Sequence, residues 1–174
     1  MKHCAILLCL LLPCAARPHP VAAQEAAGLR GSFTVNRQAG DDVNRAIDDA
    51  VARMSFVTRP VTRARLRKTN MVYDRVAVAQ NGQRVSVRFG DRPPMESPAN
   101  GAPVKWTSGD GEKFDLSTEW EGGKLVQTLK AKDGERTNTF AVSPDGRTLT
   151  LAVVVRSPRL PKPLEYKLVY NRAD

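Results

Sequence analysis

Apolar and polar residues alternate with a period of two from Met71 almost to the end of the chain, whereas one earlier stretch repeats at three and four. Gly31-Ser32-Phe33-Thr34-Val35-Asn36 alternates as a half-buried strand does. After Gly40-Asp41-Asp42, the residues Val43, Ile47, Ala50, Val51 and Met54 fall on one helical face. Asp41 or Asp42 is placed as N-cap, and the spacing predicts one amphipathic helix over about residues 41–54.

Beyond Met71 the punctuation is that of a meander. Val72 to Gln80 and Gln83 to Phe89 flank Asn81-Gly82, a pair suited to the positive dihedrals of a two-residue type I′ turn. Phe114, Leu116, Thr118 and Trp120 alternate with charged or small polar neighbours. Gly122-Gly123 then leads into Lys124 to Lys132, and Asp133-Gly134 into Glu135 to Val142. Pro144-Asp145-Gly146 leads into Arg147 to Arg156, and the proline-rich Pro158 to Pro163 into Leu164 to Asn171. With a short Val104 to Thr107 segment this gives about nine strands in a mainly β chain. Strands joined by tight turns pair antiparallel, and an open meander leaves two edges that invite aggregation. An up-and-down β-barrel of about eight to ten strands removes them, its closing contact being Leu164 to Asn171 against Gly31 to Asn36. An open sheet or a sandwich would support the same alternation.

The first residues change the picture. Lys2 precedes an apolar run from Cys4 to Leu12, followed by small residues, the layout of a secretory leader. That run is too short to span a bilayer, which takes about 20 residues. Cleavage after Val21-Ala22-Ala23, or earlier after Cys14-Ala15-Ala16, would give a secreted or periplasmic protein. Pro13 directly before Cys14 disfavours a lipid anchor there. All cysteines and histidines, Cys4, Cys9, Cys14, His3 and His19, lie in this stretch. With residues 1–23 removed, the chain has no thiol, no imidazole base and no disulfide, and it loses the commonest zinc ligands. Residues 24–30 are then a short lead-in, and 31–172 a single domain with the helix at about 41–54 and a basic connector at 55–70. Losing Lys2 and Arg17 takes the formal net charge from +9 to about +7.

Three groups of residues carry candidate chemistry. Arg53, Arg59, Arg63, Arg65, Arg67 and Lys68 stand in a stretch without an acid. They suit an anionic headgroup or an acidic partner, although a solvated linker needs the same charge. Only Phe56 interleaves these cations, which argues against nucleic acid. Trp106, Phe114, Leu116, Trp120, Tyr166 and Tyr170 fall on strand faces that line a cavity or fill a core. The acids Asp41-Asp42, Asp48-Asp49, Asp110, Glu112, Asp133, Glu135 and Asp145 sit at a helix start, on a helix face and in turns. Those are structural addresses, and no metal or cofactor is expected there.

An early strand, a helix and a long meander with Thr137-x-Thr139-Phe140, Asp145-Gly146-Arg147-Thr148-Leu149 and a terminal Leu168-Val169-Tyr170-Asn171-Arg172 resemble the lipocalin and fatty-acid-binding-protein superfamily. The likeness runs over roughly Gly31 to Arg172 and is greatest to exported bacterial lipocalin-like proteins. It implies a cup-shaped calycin barrel around a cavity for a small hydrophobic or amphipathic molecule, bound without being transformed. The intracellular fatty-acid binders often carry Arg-x-Tyr on the last strand; here Tyr170 matches the tyrosine and Leu168 stands in the arginine's place. In that frame Trp106, Phe114, Leu116, Trp120, Tyr166 and Tyr170 become ligand contacts, and Arg59, Arg63, Arg65, Arg67 and Lys68 headgroup contacts. The other expectation is an interaction module: a filled barrel whose basic surface docks onto anionic envelope components or an acidic protein. An enzyme has the least support, because no catalytic constellation is present in the sequence.

Overall fold

In the computed structural model residues 28–173 are described. The expected leader at 1–23 and most of the lead-in lie outside them. The elements run β1 (Gly31–Val35), α1 (Val43–Val51), α2 (Arg59–Thr69), β2 (Arg75–Asn81), β3 (Arg84–Phe89), β4 (Met95–Pro98), β5 (Val104–Thr107), β6 (Lys113–Glu121), β7 (Lys124–Ala131), β8 (Gly134–Val142), β9 (Thr148–Arg156) and β10 (Leu164–Arg172).

All ten strands form one antiparallel sheet in the order β4-β3-β2-β1-β10-β9-β8-β7-β6-β5. The last strand closes on the first, with Phe33 opposite Arg172 and Val35 opposite Tyr170. The free edges, β4 and β5, stand at the one break in the circle. A bridge between Asn100 and Glu119 spans it, and the Ser97 hydroxyl donates to Thr118 Oγ1 at 2.6 Å. The result is a nearly closed up-and-down barrel.

Three local expectations change. The helix predicted at 41–54 is shorter, because Asp42 caps it by accepting from the backbone N–H groups of Asn44 and Arg45 (2.9 and 3.2 Å). Asp41 is used elsewhere and accepts from the N–H of Lys167 on β10 at 2.7 Å. The connector predicted at 55–70 contains a second helix, α2, with Pro60 in its first turn and only Leu66 buried. Arginine, lysine, alanine and leucine are good helix formers, but the segment lacks the apolar stripe that a periodicity argument needs. Finally, Asn81 pairs with Arg84, so Gly82 and Gln83 link β2 to β3. Of these only Gly82 has a positive φ (56°), the pattern of a type II′ turn. The doubly positive pair is Gly122-Gly123 (52° and 80°) between β6 and β7.

Register stacks the inward side chains in rows. Trp120, Leu125, Phe140, Leu151 and Leu168 stand side by side across β6 to β10, an apolar row near the β6–β7 and β8–β9 turns. Tyr170 and Leu149 lie beyond it in the same end, which Phe33 and Ile47 help to fill; all four are fully buried. One step the other way comes the row Thr118, Gln127, Asn138, Val153 and Tyr166, buried throughout and mostly polar. The next holds Leu116, Leu129, Arg136, Val155 and Leu164. A mostly polar row thus lies between two mostly apolar ones along the barrel axis, the outer of which carries Arg136.

Candidate functional site

Above the polar row the barrel is hollow. A cavity of about 900 Å³ lies between the inner strand faces and α2. Its apolar wall includes Phe89, Met95, Trp106, Phe114, Leu129 and Val155, and its mouth is ringed by α2, the β5–β6 and β7–β8 turns and the β9–β10 loop. Trp106 and Phe114 face each other across the β5–β6 pair with ring centroids 5.8 Å apart.

Between Leu129 and Val155 a polar cluster centred on Arg136 joins β7, β8, β10 and the end of α2. The Arg136 guanidinium on β8 donates through Nε to Asn138 Oδ1 (2.8 Å) and through Nη1 to Asn70 Oδ1 (2.9 Å) and the Thr69 carbonyl (3.3 Å). Through Nη2 it donates to the Tyr166 hydroxyl at 3.3 Å, which itself donates to Asn70 Oδ1 at 3.1 Å. Asn138 Nδ2 continues the chain to Gln127 Oε1 at 3.2 Å, while Gln127 Nε2, fully buried, has no partner. Asn70 follows α2 directly; its backbone N–H and its Nδ2 both donate to the Leu66 carbonyl, each at 2.9 Å. The network therefore fastens the end of α2 to the barrel wall.

Burial raises the Tyr166 phenol above its ordinary pKa, partly opposed by the Arg136 charge. Asp110, on the rim, is lowered chiefly by the Ser108 hydroxyl donating to it, with Lys68 and Arg92 adding to the effect.

The residues singled out in the sequence fall in different places. Trp106 and Phe114 line the cavity, and Tyr166 is in the polar row behind Arg136. Leu116 is fully buried, Trp120 stands in the apolar row, and Tyr170 is fully buried with a hydroxyl that has no partner. Among the cations, Arg65 and Lys68 line the mouth, and Arg65 lies 3.8 Å from Glu112. Arg59 turns back to the Met54 carbonyl (2.7 Å), while Arg63 and Arg67 pair with Asp48 on α1 (2.8 and 3.4 Å). Arg136, Asn138, Asn70 and Gln127 had escaped notice, although Arg136 and Asn138 stand in phase with the inward Phe140 on β8. Among the described residues no cluster of three or more His, Cys, Asp or Glu is placed to hold a metal, and no helix is long and apolar enough to cross a membrane.

No protein-family model matches the chain, and no curated protein matches its sequence. Solved structures do match in fold. The REP1-NXSQ fatty acid transporter is 15% identical with a TM-score of 0.55, over 85% of this chain and 98% of that one. A secretory abundant heat soluble protein from Ramazzottius varieornatus is 9% identical with a TM-score of 0.59, over 84% and 96%. The fatty acid-binding protein in brain tissue of Drosophila melanogaster is 13% identical with a TM-score of 0.52, over 82% and 98%. The chain has the calycin-like barrel fold of lipocalins and fatty-acid-binding proteins.

Proposed function

We propose that this protein is an exported, non-enzymatic carrier or sensor that holds a small hydrophobic or amphipathic molecule in its barrel. The observation that carries the reading is the half-hollow interior: about 900 Å³ stands open above a packed apolar end. A site of this size, largely apolar with a few convergent polar groups, is the usual form of a small-molecule pocket. The fold neighbours include a fatty acid transporter and a fatty acid-binding protein, which supports the same class of ligand. Export rests on the leader at residues 1–23, and the absence of a thiol or imidazole beyond it supports binding without catalysis. The cavity also favours ligand binding over a filled barrel that docks through its basic surface alone.

Native mass spectrometry of the purified protein, followed by organic extraction, tests the reading. A bound lipophilic mass at one per chain is expected, either on purification or after incubation with a lipid extract. Protein that stays bare under both conditions would overturn it.

A further inference from the structure

We propose that the outer side of the β7–β8 turn and the β9–β10 loop is a docking site for an acidic peptide segment of a partner protein. A second concavity lies there, an open cleft of about 460 Å³. Its apolar lining comes from Ala131, Leu160 and the rings of Pro158, Pro161 and Pro163. Around these stand four cations, Lys130, Lys132, Arg156 and Lys162, against one acid, Glu135. Lys130, Glu135 and Arg156 are neighbours in register on β7, β8 and β9, out of phase with the inward Leu129, Arg136 and Val155. All four cations are exposed, and none of the six ion pairs among the described residues includes one of them. The shape is set before any partner arrives. The Ser157 hydroxyl donates to the Asp133 carbonyl at 2.9 Å, Arg159 pairs with the Asp133 carboxylate at 2.8 Å, and the Leu160 N–H donates to the Ser157 carbonyl at 3.0 Å. The three prolines hold their own φ fixed, so binding has little loop ordering to offset. An exposed ion pair contributes little by itself, and a single small anion therefore gains little here. A segment with several carboxylates meets several of these cations at once, while an apolar side chain among them covers the prolines. A bilayer is a poorer match, because the exposed large apolar side chains among the described residues, Phe56, Val57, Val61 and Met71, lie on or beside α2 instead. A nucleic acid is poorer still: among the described residues no aromatic side chain lines the cleft for a base to stack on. Ala131, Gly134 and Leu160 belong to the cleft and to the cavity wall alike, so a partner docked here stands beside the mouth. The inference does not depend on the ligand-binding reading.

The test uses the purified protein and labelled pentapeptides with tryptophan or leucine between two pairs of glutamates, read by fluorescence anisotropy and by amide NMR shifts. At least one should bind, with shifts concentrated at residues 130–135 and 156–163. Replacing its glutamates with glutamines, or raising the salt from about 50 mM to about 500 mM, should weaken binding about tenfold or more. Lys132→Glu combined with Lys162→Glu should weaken it to a similar degree. Arg45→Glu combined with Arg53→Glu, an equal change of net charge outside the cleft, should leave it within about twofold, because exposed distant charges are screened. All four replaced side chains are exposed, which leaves the fold intact. Equal weakening by both pairs of substitutions, shifts centred elsewhere, or no binding of either peptide would overturn the inference, as would stronger binding of phosphatidylglycerol vesicles or oligothymidylate through the same lysines. None of these outcomes bears on the lipophilic mass expected in the barrel.

Discussion

Tyr166 and Tyr170 stand four positions apart on the same face of β10 and meet different surroundings. The hydroxyl of Tyr166 both gives and accepts hydrogen bonds, while that of Tyr170 is buried without a partner. Burial raises both phenols above the ordinary value of 10.0. A raised acid favours the protonated native state, so this stability is fully present below about pH 10 and is lost as pH climbs past it, where unfolded tyrosines ionise. Removing the unpartnered hydroxyl relieves a desolvation penalty on the order of 1 kcal/mol. Tyr170→Phe is therefore expected to be neutral or stabilising by up to about 1 kcal/mol near pH 8, and to lose less stability than wild type by pH 10.5, in urea titrations. A loss of more than about 1 kcal/mol at pH 8 would contradict this account. Alternation places Leu164, Tyr166, Leu168 and Tyr170 on one face, and a reader of the sequence sees that much. Which tyrosine meets polar neighbours depends on register across β7, β8 and β9, and no local pattern encodes it.

The two helices show where periodicity helps and where it fails. α1 was legible because Val43, Ile47, Ala50 and Val51 make a stripe and Asp42 sits one residue before it. Its first turn relies on that carboxylate for two backbone donors, and losing such a cap costs about 1 kcal/mol. Asp42→Ala should lower the urea midpoint accordingly with no change in slope, whereas Asp49→Ala, with no such role, serves as the control. α2 was not legible, since Leu66 is its one buried residue and tertiary contacts decide its state. β4 escaped for a related reason: four residues ending at Pro98 carry little alternation, and only pairing with β3 makes them a strand. The polar residues of β8 hid Arg136 in the same way, because Glu135 to Thr139 is polar on both faces.

At the scale of the whole molecule, closure was predictable from the cost of exposed edges, but the division into a packed end and an open end was not. Filling depends on how rows from five strands combine, with Phe140 and Leu151 in one and Gln127 and Asn138 in the next. The seam that completes the circle joins the most distant parts of the sequence. Arg172 stacks over the Phe33 ring at 4.6 Å from its centroid and donates to the Arg30 carbonyl, 142 residues away, at 3.0 Å. Hairpins such as β6–β7 close short loops, whereas this seam must bring together nearly the whole chain before any contact repays the entropy. On that ground the meander is expected to assemble first and the seam to be sewn last. In stopped-flow experiments Phe33→Ala should then speed unfolding and leave the refolding rate nearly unchanged, while Leu125→Ala, inside the β6–β7 pair, should slow refolding. The reverse pattern would make the seam the nucleus. With the seam last, a newly synthesised chain carries β1 unpaired against β10 for longest, and that edge is where partly folded copies would join one another.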